Sequence, residues 1–297
     1  MQIIVRLSVS VCMIQHIHPD INTPGDIKYA KNYGTKKRNV NERQSWAMFY
    51  GAPVRSLDDI TRLRRTGFDF GEIAMANAGA RRMWWESGLI NGGLGKYFLM
   101  AHGPLEGNPN DAGSFWNRYV PNLIATIDTL NRMSIRSMNI HLLMDRRIVS
   151  SLVLAEKIRA LKEIVEYGMK NSVAINLENL SETAEDIEPI INEVPNLGLT
   201  LDVGHANLGA SENKSIAIIQ KFVNLIRHIH LHDNRGGQSK DDDLHLPIGS
   251  GTVDFRVIIG SLRNVGYEGT MTLEVKPEFQ GKSRVSVETL IKKTLES

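Results

Sequence analysis

From residue 46 onward the chain repeats one pattern: a short apolar run, a turn, then a longer stretch whose apolar residues recur at helical spacing. The apolar runs predict strands over residues 47–53, 68–75, 97–102, 137–144, 173–180, 197–203, 228–233 and 269–275. Between them the spacing predicts helices over 56–65, 78–87, 114–133, 150–169, 182–193, 215–227, 254–265 and 285–295. Ser56 stands as the first cap, Gly67 as the first stop and Asp254 as a later cap. The segment 78–87 reads equally as a structured loop. Strict alternation of strand and helix over about 250 residues points to an α/β fold, a closed (β/α)8 TIM barrel in a single domain, with an open doubly wound sheet as the fallback.

Strand parity supports closure. Val173, Ile175 and Leu177 face one way, and Ala174, Asn176 and Glu178 the other. The run 197–202 splits into three leucines against Gly198, Thr200 and Asp202, and the run 270–274 into Met271 and Leu273 against Thr270, Thr272 and Glu274. An aliphatic face can pack under helices while a small or polar face lines a lumen. A parallel strand buried on both sides would be apolar on both. Each polar face also ends in a carboxylate at the C-terminal edge of its strand, where barrel enzymes place their chemistry.

The first 46 residues break the pattern. An apolar run at 3–17 contains Arg6 and is too short to span a bilayer, and residues 28–43 are rich in Lys, Asn and Arg without periodicity. They are expected to form a loosely ordered N-terminal extension carrying His16 and His18, with the functional chain starting near Met48 and the barrel covering 47–297. A 42% hydrophobic and 23% charged composition suits a globular chain, and a net charge of +2 supplies no general attraction for nucleic acid. Cys12 is the single cysteine, which rules out an internal disulfide and a cysteine-based zinc site and makes a reducing cytoplasm the expected setting. No membrane partner is expected, and nothing in the sequence fixes a homo-oligomer.

The chemistry concentrates at 228–255. His228, His230 and His232 alternate with Ile229 and Leu231, so the three imidazoles share a strand face. Asp243 and His245 follow in a loop marked by Pro247, Gly249 and Gly251. Elsewhere His102, His141, Glu178, Asp202, His205 and Glu274 all fall at strand ends or just beyond. Four clustered carboxylates would repel one another unless cations offset them, and imidazole with carboxylate oxygen is a ligand set for zinc, manganese or cobalt. One divalent ion takes about four protein ligands, so this set holds one ion and has donors enough for two or three. Against this stand plainer roles: His102, His141 and His205 as core or orienting histidines, Asp243 and His245 as loop residues, and Asp241 and Asp242 as a solvated run. His228, away from the rim, and His232, as a residue that orients a neighbour, are both read as non-ligands. Arg81, Arg82, Trp84 and Trp85 after the second strand could wall a sugar and bind its phosphate, insert into DNA, or form an ordinary helix surface.

On these motifs the chain resembles the xylose isomerase-like barrel superfamily, from Met48 to the C-terminus. That superfamily includes sugar isomerases and epimerases and the endonuclease IV type of apurinic/apyrimidinic endonuclease. The resemblance to the sugar enzymes implies that Glu178, Asp202, His230 and Glu274 hold one ion and that the two glutamates shuttle the proton. The resemblance to the endonuclease implies a trinuclear zinc cluster that adds His102, His141, His205, Asp243 and His245. The run after Glu178, NLSETAEDIEP, is acidic and lacks the nuclease-like glycine run, whereas LDVGHAN and HLPIGSGTVDF look like the sugar enzymes. The expectation is therefore a divalent-metal-dependent isomerase or epimerase of a small-molecule sugar or sugar phosphate, with Lys276, Arg81 and Trp84 as substrate-binding residues. The alternatives are a multinuclear-zinc phosphodiesterase with DNA as its partner, and a metal-binding barrel without turnover.

Overall fold

The computed structural model describes residues 46 and 48–296. Cys12, His16, His18 and nearly all of the expected extension lie outside the described residues. Eight parallel strands, each hydrogen-bonded to the next and β1 to β8, close into a barrel. They are β1 Met48–Val54, β2 Phe70–Ala74, β3 Phe98–His102, β4 Ser137–His141, β5 Ala174–Glu178, β6 Gly198–Asp202, β7 Ile226–Leu231 and β8 Gly269–Leu273. The surrounding helices are α1 Leu57–Arg65, α2 Ala78–Glu86, α3 Val120–Arg132, α4 Ser151–Lys170, α5 Ala184–Glu193, α6 Ser215–Phe222, α7 Phe255–Asn264 and α8 Pro277–Glu296.

Alternation along each strand sorts the side chains as the sequence pattern requires. Ile175, Leu199, Leu201, Ile229, Leu231, Met271 and Leu273 are buried beneath the helices. They meet the apolar stripes of those helices, such as Leu123, Ile127 and Leu130 of α3 and Leu161, Ile164 and Val165 of α4. Each such side chain contributes about 1.5–3 kcal/mol by leaving water. Ser56 and Asp254 cap α1 and α7 as expected, each accepting from backbone N–H groups of the first turn.

Three segments depart from the sequence reading. The last helix begins at Pro277, well before residue 285, because Pro suits a first helical turn while the polar residues around Gly281 leave no apolar period to detect. The helix expected over 114–133 is α3 preceded by a short turn and a π-helical stretch at 115–119; Pro121 has no N–H to give the regular ladder there. β7 begins at Ile226, inside the expected helix 215–227. Leu199 pairs with Ile226 and Thr200 with His228, so Arg227 is the extra residue of a bulge. Its guanidinium turns outward to the Asn196 carbonyl at 3.1 Å. Gly198 permits this, since a Cβ there would lie 2.6 Å from Arg227 Cδ.

Candidate metal centre

The barrel register levels the polar strand ends. His141 pairs with Glu178 across β4 and β5, and Asp202 with His230 across β6 and β7. One ligand atom from each of Glu178, Asp202, His230 and Glu274 lies within 4.8 Å of the other three. Nδ1 of His230 faces Glu178 Oε1 at 3.1 Å, Glu274 Oε1 at 3.4 Å and Asp202 Oδ2 at 3.6 Å. Glu178, Asp202 and His230 are sealed from solvent, while the Glu274 side chain keeps 14% exposure at the mouth.

The donors fit a cation. Both carboxylate oxygens of Glu178, Asp202 Oδ2 and His230 Nδ1 are buried without a hydrogen-bond partner, and a buried polar atom left so carries a large desolvation cost. Three of them, Glu178 Oε1, Asp202 Oδ2 and His230 Nδ1, gather in the quartet, while Glu178 Oε2 turns to His102 and His141. Burial alone would favour the neutral carboxyls, yet the imidazoles of His141 and His230 hold Glu178 well below the ordinary range, and those of His205 and His232 do the same for Asp202. His230 is pushed up against burial by Glu178 and Glu274. The site therefore places its negative charge where only protons on the imidazoles, or a metal, can balance it.

Two further groups flank the quartet. His102 and His141 bring Nε2 atoms to Glu178 Oε2 at 3.4 and 3.1 Å, and the three share a cluster. On the other side His205, His232, Asp243 and His245 form a cluster of four. Asp243 Oδ2 lies 3.3 Å from His205 Nε2 and 3.2 Å from His245 Nε2. The loop that carries Asp243 and His245 is fastened by Asp233, whose carboxylate accepts from the N–H groups of Gly249, Gly251 and Val253. A Cβ on Gly251 would meet the Asn234 carbonyl at 1.9 Å, so this loop requires glycine there. His245 sits in the left-handed region at φ 45°, held by Nδ1 donating to the Glu274 carbonyl at 2.7 Å.

The remaining sequence expectations fare differently. His228 lies one layer below the quartet between the hydroxyls of Thr270 and Thr272, at 2.6 and 3.0 Å, which satisfies both ring nitrogens. His232 does more than orient a neighbour: it faces Asp202 Oδ1 at 3.1 Å and stacks on His245 with centroids 3.9 Å apart. Trp84 corrects the expectation of an aromatic wall. Its ring is a core side chain, 1% exposed, whose Nε1 donates to the Ala74 carbonyl, so it has no face left for a sugar. Arg81 is likewise turned against α3, donating to Asn122 Oδ1 at 3.2 Å. Lys276 is exposed two residues beyond Glu274. The acidic run after Glu178 is largely structural: Glu182 accepts the N–H groups of Met144 and Leu180, and Asp186 completes a capping box with Thr183.

In the lumen, a buried carboxylate escaped the sequence reading altogether. Glu72, in the middle of β2, points into the lumen and reaches His230 Nε2 at 3.1 Å. Applying the parity rule to FGEIA would have found it, since a charged residue inside a central strand must point at a partner.

The family model described as xylose isomerase-like TIM barrel matches residues 60–295. An uncharacterized protein of Methanocaldococcus jannaschii is 33% identical over 133 residues, covering 42% of this chain and 44% of that protein. The chain spans less than half the length of the curated relatives it matches. Among solved structures, a D-tagatose 3-epimerase-like protein superposes with a TM-score of 0.70 at 24% identity, covering 84% of this chain and 99% of that one. The IOLI protein with a binding zinc atom gives a TM-score of 0.64 at 15% identity over 84% and 98% of the two chains.

Proposed function

The chain belongs to the xylose isomerase-like TIM barrel family, and from that membership and the geometry of the rim we propose that it is a divalent-metal-dependent isomerase or epimerase of a sugar or sugar phosphate. The observation that carries this reading is the convergence of two glutamates, an aspartate and a histidine on one point at the barrel mouth. Structural neighbours include proteins described as D-tagatose 3-epimerase-like and as an L-ribulose 3-epimerase, and the IOLI protein among them is described with a binding zinc atom.

Glu178, Asp202, His230 and Glu274 would hold the ion, which would polarise a substrate carbonyl and neighbouring hydroxyl and so acidify the carbon between them. Glu178 or Glu274 removes the carbon-bound proton, and the other returns a proton to a different atom or face. Glu178 is sealed, so a proton it takes up is kept from water, whereas Glu274 reaches the mouth and exchanges with solvent. Lys276, exposed two residues beyond Glu274, would offset the enediolate charge.

The test is turnover of a panel of ketoses and aldoses, free and phosphorylated, in deuterated water by protein of known metal content. The reading expects deuterium at the epimerised or isomerised carbon, dependent on the ion, with Glu178→Gln and Glu274→Gln each slowing incorporation by about 10²–10⁴-fold. Unchanged rates in both variants with metal still bound refute it.

A second reading is supported by the flanking clusters, His102 with His141 and Glu178, and His205 with His232, Asp243 and His245. They offer donors for two more ions, as a multinuclear-zinc phosphodiesterase acting at abasic DNA would need. Two or three zinc ions per chain, salt-sensitive DNA binding and cleavage of an abasic oligonucleotide would select it. One ion and no affinity for DNA selects the isomerase.

A further inference from the structure

We infer that Glu72 is a positioning residue for the metal centre: it holds His230 in the tautomer and ring orientation that present Nδ1 to the ion. This rests on His230 being a ligand, and not on which sugar is bound. The rim histidines show two orientations. His102, His205 and His245 turn Nδ1 to backbone carbonyls, Gly103 at 3.1 Å, Asn179 at 3.1 Å and Glu274 at 2.7 Å, and present Nε2 to carboxylates, although His205 Nδ1 also lies 3.3 Å from Glu178 Oε1. His230 is reversed. Its Nδ1 faces Glu178, Asp202 and Glu274, and its Nε2 faces the carboxylate of Glu72 at 3.1 and 3.2 Å.

Glu72 is held in turn by a buried polar belt one layer below the quartet. Asn139 Nδ2 donates to Glu72 Oε1 at 2.7 Å and Thr272 Oγ1 to Oε2 at 2.6 Å. The Asn139 carbonyl oxygen accepts from Thr200 Oγ1 at 2.7 Å and Asn176 Nδ2 at 3.1 Å, which settles the orientation of its amide. All five side chains are buried in the lumen. A sealed carboxylate with two neutral donors already fixed turns its charge chiefly to His230 Nε2–H, at 3.1 and 3.2 Å, with His228 Nε2 farther off at 3.4 Å and already met by Thr272. An N–H donated to a carboxylate makes the opposite nitrogen a stronger and correctly aimed donor to a cation. A backbone carbonyl supplies the same aim without the full charge, so His230 is given the most basic ligand nitrogen where three carboxylate oxygens already gather.

The experiment uses the full chain stripped of metal and titrated with cobalt(II) alone, reading affinity by chelator competition and coordination by visible absorption. Glu72→Gln is expected to weaken cobalt binding about 10–100-fold, with the stoichiometry kept. The variant is expected to stay folded with a lower metal-free melting temperature, since the change takes the charge from the buried pair of Glu72 and His230, and the His230 ring N–H signal of the loaded protein should move in the NMR spectrum. Thr272→Val, which leaves Glu72 ionised but less firmly aimed, is expected to lose about 2–10-fold and stands in if Glu72→Gln does not fold. Wild-type affinity and spectrum in the folded variants overturn the inference while leaving the proposed function standing. Loss of a whole cobalt equivalent with the rest unchanged also overturns it, because Glu72 would then be a ligand. Failure of the wild-type chain to bind cobalt would instead remove the proposed function beneath it.

Discussion

A ligand and a brace are told apart by where the second polar atom of the side chain goes. Lys157 is a brace: its ammonium is fully buried, 2.6 Å from Glu106 Oε1 and 2.8 Å from the Leu143 carbonyl. Glu106 Oε2 accepts the Leu143 N–H at 3.0 Å, so this pair ties together the loops that follow β3 and β4, whose last residues are His102 and His141. Removing one partner strands the other charge in the interior. Lys157→Met is therefore expected to lower unfolding stability by about 3–5 kcal/mol in a urea titration, and the double change with Glu106→Leu to recover most of it. A single-variant cost below about 1 kcal/mol, the usual worth of an exposed pair, would show that the loops do not depend on it. The same reasoning separates His228, whose two nitrogens are both met by threonine hydroxyls, from His230, whose Nδ1 is met by none.

Single elements explain what could be read from sequence and what could not. The strand and helix alternation was legible because each apolar run is bounded by a turn, and the lumen face of β5, β6 and β8 because it is polar at period two. What stayed hidden depends on neighbours. Trp84 reads as a surface aromatic until α2 is laid across the end of β2, and Glu72 reads as one charge among many until β2 is seen to face β7 across the lumen. The β7 bulge at Arg227 was hidden because a helix and a bulged strand look alike over so few residues. Gly204 gives an element-scale prediction. It follows β6, and a Cβ there would lie 2.1–2.4 Å from the His232 ring atoms, so Gly204→Ala must displace that ring from Asp202 and from its stack on His245. If the cluster of His205, His232, Asp243 and His245 binds an ion, this variant is expected to lose that equivalent while the quartet keeps its own. Elemental analysis decides it: full metal content in a folded Gly204→Ala protein would remove His232 from any ligand role.

Taken over the whole molecule, the mouth of the barrel is a balance between protons and metal. Without an ion, His102 and His245 are raised to about 9, the first by hydrogen bonding and attraction to Glu178 and the second by Asp243, both against the opposing pull of burial. His205 and His230 are likewise held well above the ordinary range, against burial, by the carboxylates around them. A group whose folded pKa exceeds its unfolded value near 6.5 adds stability that is complete below that value and is lost as pH rises through the folded pKa. The metal-free protein is therefore expected to melt at progressively lower temperature from about pH 7 to above 9. A metal needs the same imidazoles neutral, so its binding must release protons and tighten as pH climbs through that window. The gap between loaded and metal-free melting temperatures should widen with pH, and calorimetry in buffers of different ionisation enthalpy should count the protons released. At a hundredfold excess over the dissociation constant the ion adds about 2.7 kcal/mol, enough to resolve in a thermal scan. A metal-free melting temperature that stays level from pH 7 to 9, together with no proton release on adding zinc, would mean that the imidazoles are already neutral across this range and that no exchange of protons for metal takes place at the barrel mouth.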